Sequence, residues 1–134
     1  MGRPRLLPSV AKNLALKPAT IQYPYVRTEI EASFRGRHYA DLQKCTGCSL
    51  CAIECPADAI VMIQIPAGFQ APKINPRRIF PRIDYGRCVF CYRCVAVCPF
   101  NAYVTTNFYE LAGPRENDSV ELSLKTLKGG RGVS

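Results

Sequence analysis

All eight cysteines of this 134-residue chain lie in two short stretches, residues 45–55 and 88–98. The first stretch reads CTGCSLCAIEC, the second reads CVFCYRCVAVC, and a proline follows each one. Cysteines grouped in this way either bridge one another as disulfides or bind a metal centre as thiolates. The opening residues, MGRPRLLP, are basic and interrupted by proline, unlike a secretory leader. We therefore expect a reducing compartment, where disulfides are rare and clustered cysteines bind metal.

Both stretches have the spacing C-x₂-C-x₂-C-x₃-C-P, which is a ligand pattern of [4Fe–4S] clusters. Three cysteines spaced by two residues wrap a tight loop around one corner of an iron–sulfur cube. In this motif the fourth cysteine ligates the other cluster. The motif therefore predicts two [4Fe–4S] clusters with exchanged ligands. The predicted sets are Cys45, Cys48, Cys51 and Cys98 for the first cluster, and Cys88, Cys91, Cys94 and Cys55 for the second.

Zinc is the alternative metal for cysteines at such spacing. Structural zinc sites use paired C-x₂₋₄-C units and four ligands in a tetrahedron. A third cysteine at the same spacing, followed by C-P, has no role in such a site. The spacing therefore favours iron–sulfur clusters over zinc.

The other polar residues do not predict substrate chemistry. His38 is the only histidine, and we assign it no role because general acid–base catalysis needs positioned partners. Glu54 and Asp58, predicted to lie beside the first cluster, are interpreted as solvated carboxylates. The sequence therefore predicts an electron relay without catalytic residues for a substrate.

The elements that must position the cysteines form an internal repeat. Ala59–Met62 follows the first motif and Ala102–Thr105 follows the second, and both are rich in residues that favour strands. His38–Leu42 and Arg82–Tyr85 precede the motifs and are the predicted partner strands. Each half then consists of a strand, a cysteine loop, a short helical turn and a strand. We expect an α+β fold with a pseudo-twofold repeat.

The flanking segments divide the chain into three parts. Residues 34–106 hold the repeat, with a proline-rich surface loop predicted at 64–81. Residues 1–33 form an N-terminal arm, in which Ser9 is a candidate cap of a short helix. Residues 107–134 are predicted to be a polar C-terminal tail that is mobile at its glycine-rich end.

The charge of the chain bears on its partners. The formal charge of +8 counts the cysteines as neutral. Eight thiolates contribute about −8 and two oxidised cluster cores about +2 each, which leaves about +4. The basic residues Arg77, Arg78 and Arg82 lack the interleaved aromatic residues of a single-strand groove, so no nucleic acid is expected. No stretch approaches the ~20 apolar residues of a membrane-spanning helix.

The core over residues 34–106 resembles a bacterial-type two-cluster ferredoxin. Further segments are similar to the two-cluster subunit of respiratory complex I, and to the related subunit of membrane-bound hydrogenases and other complex I-like reductases. These segments are KPAT at 17–20, YP at 23–24, FRGRH at 34–38, PRIDYGRCVFC at 81–91 and FYELA at 108–112.

This resemblance implies a relay within a multi-subunit, membrane-associated oxidoreductase. It implies a peripheral position on the cytoplasmic side of the cell membrane, with an upstream iron–sulfur or flavin module and a downstream terminal-cluster subunit. It also implies that the N-terminal segment lies along the membrane arm. The alternative is a free ferredoxin or one that serves a soluble enzyme. Such carriers are usually acidic and compact, unlike this chain.

Overall fold

The computed structural model describes residues 6–113 and 117–128. These residues form a small α+β structure of short helices and strands. In chain order the elements are α1 (Leu6–Ala15), β1 (His38–Ala40), α2 (Leu50–Ile53), β2 (Ile60–Gln64), β3 (Ile79–Ile83), α3 (Arg93–Ala96), β4 (Tyr103–Thr105) and α4 (Val120–Leu127). The chain divides into two compact units, residues 1–30 and residues 31–134.

The N-terminal unit contains helix α1 followed by turns. The helix begins at Leu6, before the predicted cap at Ser9, and Pro8 lies in its first turn, where an N–H has no partner within the helix. Leu7, Val10 and Leu14 share one face and are all exposed. No helix among the described residues is long and apolar enough to cross a membrane.

The second unit contains two antiparallel pairs of strands. Strand β1 pairs with β4, and β2 pairs with β3. The predicted strand Arg82–Tyr85 is displaced, because β3 runs from Ile79 to Ile83 and ends where Asp84 begins the second cysteine loop. Pro81 lies within β3, opposite Met62. A sheet of two strands has only edges, so a proline without an N–H is tolerated there.

The segment between β2 and β3 is shorter and more ordered than the predicted loop at 64–81. Its first residue after β2, Ile65, is buried and donates its N–H to the carbonyl of Arg78 at 2.8 Å. Asn75 is also buried, and its Nδ2 donates to the carbonyl of Ile79 at 2.8 Å. Phe69 packs on the core. The prolines thus shape a connection that has buried contacts.

The C-terminal region differs from the predicted polar tail at 107–134. Helix α4 packs on a core cluster that contains Leu42 and Phe80. Ser119, which precedes the helix, is buried and accepts a hydrogen bond from the N–H of Ile83 at 2.9 Å. Thr126 accepts one from the N–H of Leu42 at 3.0 Å. The glycine-rich end that we predicted to be mobile lies outside the described residues.

Candidate metal centres

The two cysteine loops have closely similar backbones. Gly47 and Phe90, which occupy equivalent places before the second cysteine, have φ of 69° and 51°. Ser49 and Tyr92, before the third cysteine, have φ of 69° and 61°. Helices α2 and α3 begin directly after these two residues. Repeated left-handed residues turn each loop tightly, so that its cysteines face one side.

The hydrogen bonds around the loops also recur. The N–H groups of Cys45 and Cys88 donate to the carbonyls of Asp41 and Asp84, each at 3.0 Å. Each aspartate carboxylate also accepts a backbone N–H two residues further on, at 3.0 Å and 2.9 Å. The two loops are therefore held by the same local contacts.

Other contacts connect the two halves. The N–H of Asp41 donates to Ala102 at 2.6 Å, and that of Asp84 donates to Ala59 at 2.9 Å. Helices α2 and α3 contact each other. Across them Arg93 forms a 2.7 Å ion pair with Glu54, which we had interpreted as a solvated carboxylate. The chain thus places the fourth cysteine of each motif beside the loop of the other.

Two cavities result, each lined by four cysteines. The first cavity is about 360 Å³, including space open to solvent, and the second is about 310 Å³. The first is lined by Cys45, Cys48, Cys51 and Cys98, and the second by Cys55, Cys88, Cys91 and Cys94. Among the described residues, no group of three or more His, Cys, Asp or Glu converges tightly enough to hold a single metal ion. Ligation by these cysteines stays a prediction.

The cysteines are thiols that a metal must deprotonate, and two of them, Cys51 and Cys94, are buried. Burial raises the pKa of Cys45, Cys51 and Cys88, and burial together with the neighbouring Cys88 raises the pKa of Cys94 to about 12. At neutral pH these four thiols therefore keep their protons, and binding of a metal centre releases them.

Backbone donors are in place for the thiolates that a metal centre would create. The N–H groups of Ala59 and Ala102 donate to Cys55 and Cys98 Sγ at 3.3 Å and 3.4 Å. A donor near a thiolate stabilises its charge. The chemistry of this donor set fits a thiolate-ligated cluster.

Gly47 in the first loop lies against other backbone. A Cβ at this position would lie 2.8 Å from the carbonyl oxygen of Ile79 and 2.9 Å from Oδ1 of Asn75. Its φ of 69° also favours glycine. The segment between β2 and β3 therefore supports the first cysteine loop directly, a contact that local sequence does not reveal.

His38 lies beside the second cavity. It is 1% exposed, and its Nε2 is 3.4 Å from Cys94 Sγ. Its backbone carbonyl accepts a 2.6 Å hydrogen bond from the hydroxyl of Tyr85. Sequence reasoning gave this histidine no role. No sequence pattern indicates the contact with Cys94, because Cys94 is 56 residues away in the chain.

Tyr103, predicted only as part of a strand, lines the first cavity. Burial raises its pKa far above the ordinary value, and the neighbouring Cys51 adds to the shift. Its hydroxyl completes no hydrogen bond of good geometry among the described residues. The hydroxyl nevertheless interacts with Cys51. Burial raises the pKa of Cys51, and this interaction lowers it by a smaller amount. The ring of Tyr103 is 6.0 Å from that of His38.

The fold and the paired cysteine loops define a ferredoxin-type 4Fe–4S protein. The family model described as a 4Fe-4S dicluster domain matches residues 44–102. This range contains both cysteine motifs.

Similar proteins show which family within this class the chain belongs to. NADH-quinone oxidoreductase subunit I 2 of Geobacter metallireducens is 35% identical over 121 residues, which cover 87% of this chain and 89% of that protein. NAD(P)H-quinone oxidoreductase subunit I of Gloeobacter violaceus is 33% identical over 104 residues, or 77% of this chain and 48% of that protein. The chain belongs to the NADH-quinone oxidoreductase subunit I family. It spans most of the first relative and about half of the second.

A solved structure shares the fold. It is the archaeal membrane-bound sulfane sulfur reductase, a respiratory membrane complex, and one of its chains is 37% identical to this protein with a TM-score of 0.57. The match covers 92% of this chain and 64% of that one. This likeness extends the relationship to a complex that is named for sulfane sulfur rather than for NADH.

Proposed function

We propose that this chain is the iron–sulfur electron-transfer subunit of a membrane-associated, complex I-like oxidoreductase. In this role it relays electrons through two [4Fe–4S] clusters. The observation that carries the proposal is the composition of the two cavities. Each is lined by three cysteines of one motif and the fourth cysteine of the other.

The proposed ligands are the cysteines that line each cavity. Cys45, Cys48, Cys51 and Cys98 hold the first cluster, and Cys88, Cys91, Cys94 and Cys55 hold the second. When bound, the clusters supply one-electron oxidation and reduction. The chain supplies thiolates, backbone donors and apolar walls that limit the access of water. The exchanged cysteines keep the two centres within one small domain, which suits a relay.

The arrangement of the chain follows from the same proposal. We infer that the two halves of residues 34–106 are related by a pseudo-twofold axis. The recurring left-handed residues and the matched bonds to Asp41 and Asp84 support this inference. Beyond Thr106, helix α4 covers one face of the core rather than forming a free tail.

The remaining surfaces suit protein partners. We propose that residues 1–33 dock on the membrane arm of the complex, on the cytoplasmic side, and that the chain is a peripheral subunit there. The exposed apolar side chains of Leu7, Val10 and Leu14 support docking, because such a patch commonly marks an interaction site. Arg77 and Arg78 are exposed in the segment between β2 and β3 and face a soluble partner in this proposal.

Two measurements test the proposal. The purified chain should contain about eight iron and eight acid-labile sulfide. A protein containing two zinc ions and no sulfide would contradict the cluster assignment.

In native membranes the chain should co-purify with other redox subunits, and deletion of residues 2–30 should release it while both clusters still form. A truncated chain that still assembles with full electron flux would contradict the docking role.

A further inference from the structure

Among the described residues, the contact between His38 and the second cysteine loop has no equivalent from the matching strand position beside the first loop. His38 lies in β1, its side chain is buried, and its Nε2 is 3.4 Å from Cys94 Sγ. The position that follows His38 by one length of the repeat is Pro81, which lines the first cavity. Proline offers no side-chain donor. The two cavities therefore differ at this equivalent place in their capacity to donate a hydrogen bond.

The direction of the hydrogen bond follows from the chemistry of the two groups. A cysteine that ligates metal is a thiolate and can only accept. Nδ1 completes no hydrogen bond of good geometry within the described part of the chain. The ring proton is therefore free to occupy Nε2, where Cys94 accepts it.

The imidazole is held in this orientation by its neighbours. The rings of Tyr92, Phe90, Tyr103 and Tyr85 lie around it, with centroids 4.9 to 6.3 Å away. The hydroxyl of Tyr85 fixes the backbone of His38, and the hydroxyl of Tyr92 donates to the carbonyl of Gly36 at 2.9 Å. Packing of this kind leaves the ring little room to turn away from the sulfur.

We propose that His38 is a positioning residue that tunes the second cluster: its Nε2–H donates to Cys94 Sγ and makes that cluster easier to reduce. The inference rests on the proposed function, because it requires a cluster ligated by Cys94. Reduction adds negative charge to a centre whose sulfurs carry part of it. A fixed donor therefore stabilises the reduced state more than the oxidised state.

The test compares two substitutions of similar volume in the full chain with its clusters. His38→Leu removes the donor, whereas His38→Gln keeps an N–H. We expect His38→Leu to make the second cluster at least tenfold harder to reduce, which is about 59 mV for a one-electron couple. The first cluster should not move, and His38→Gln should recover most of the shift. A redox titration followed by electron paramagnetic resonance measures both midpoints.

Thr105→Val is the control for a substitution beside His38. Thr105 is exposed in β4 and pairs with His38 in β1, and its change leaves the contact between Nε2 and Sγ in place, so the midpoint should stay near that of the unmodified chain. Equal shifts in His38→Leu and His38→Gln, or no shift in either, would overturn the proposal.

A second measurement needs no substitution at His38. Because the chain has one histidine, labelling with ¹⁵N-histidine marks this ring alone. Pulsed electron paramagnetic resonance should detect ¹⁵N coupling to the reduced second cluster and not to the first. A protein that holds both clusters but shows no such coupling would overturn this inference alone. A protein that forms no clusters would overturn the proposed function as well.

Discussion

The first and second cysteine loops follow nearly the same backbone path with different side chains. At the left-handed positions the first loop has Gly47 and Ser49, and the second has Phe90 and Tyr92. A left-handed conformation costs a residue with a side chain about 1–2 kcal/mol. In the second loop aromatic packing offsets this cost, since Phe90 stacks on Tyr85 with centroids 6.2 Å apart. The geometry of the ligands therefore constrains the backbone of both loops, whereas the side chains at the same positions can differ.

The environments of the sulfurs differ as well. In the first loop Cys48 is exposed, and Leu50 and Phe100 line the cavity with their side chains partly in solvent. In the second loop Cys91 is only half-exposed and His38 adds a donor. The two centres thus differ in the exposure of the second cysteine of the loop and in the buried imidazole, which only the second cavity has among the described residues. The following predictions test this difference, from the largest expected effect to the smallest.

Exchange of the fourth cysteines has the largest consequence. Cys98→Ser should remove a ligand of the first cluster and Cys55→Ser a ligand of the second, because each lines the cavity of the other motif. Each variant should lose or alter one cluster, with iron content falling from about eight toward about four. Iron analysis and electron paramagnetic resonance measure this, and each variant is the control for the other. Damage by Cys55→Ser confined to the first cluster would contradict the exchange.

Gly47→Ala tests the backbone of the first loop. The new Cβ would lie 2.8 Å from the carbonyl oxygen of Ile79, at a φ of 69°. Overpacking and the left-handed conformation together should cost about 3 kcal/mol in the free energy of unfolding. Gly68→Ala is the matched control, since a Cβ there meets no atom within 4 Å. Denaturant unfolding that shows equal stability for both variants would refute the steric account.

Tyr103→Phe is the counterpart of the histidine test at the first cavity. The buried hydroxyl of Tyr103 interacts with Cys51, although it forms no hydrogen bond of good geometry among the described residues. Its removal should make the first cluster slightly harder to reduce, by less than the tenfold change expected for His38→Leu, and should leave the second nearly unchanged. A redox titration measures both. A larger shift in the midpoint of the second cluster would show that Tyr103 affects the second cluster more than the first.

The ion pair between the two loops should have the smallest effect. Arg93 is exposed and Glu54 half-exposed, and their side chains are 2.7 Å apart. Surface pairs contribute little to stability and are screened by salt. Glu54→Gln should therefore shift the denaturation midpoint slightly at low ionic strength and not at high ionic strength. A double-mutant cycle with Arg93→Gln isolates the pair, and a coupling that persists in high salt would contradict a surface interaction.

Local sequence patterns predicted some elements of the structure and missed others. The cysteine spacing, the strands after each motif and the helical turns depend on neighbours in the chain, so the sequence indicates them. The extension of β3 through Pro81 was missed, because proline usually argues against a strand and only the two-stranded sheet makes it acceptable. Helix α4 was missed because residues 107–134 were treated as one polar tail, although Val120, Leu124 and Leu127 have helical spacing. The packing of these residues on Leu42 and Phe80 depends on tertiary contacts.

The sequence by itself determined the chemistry: eight cysteines in a repeated motif, and hence the kind of metal centre that they can hold. Tertiary structure decided which side chains surround each sulfur. His38 and Cys94 are 56 residues apart, and Asn75 reaches Gly47 only through the turn before β3. Ligand spacing is a local property that the order of residues contains. The environment of a buried sulfur depends on contacts between distant segments, which exist only after the chain has folded.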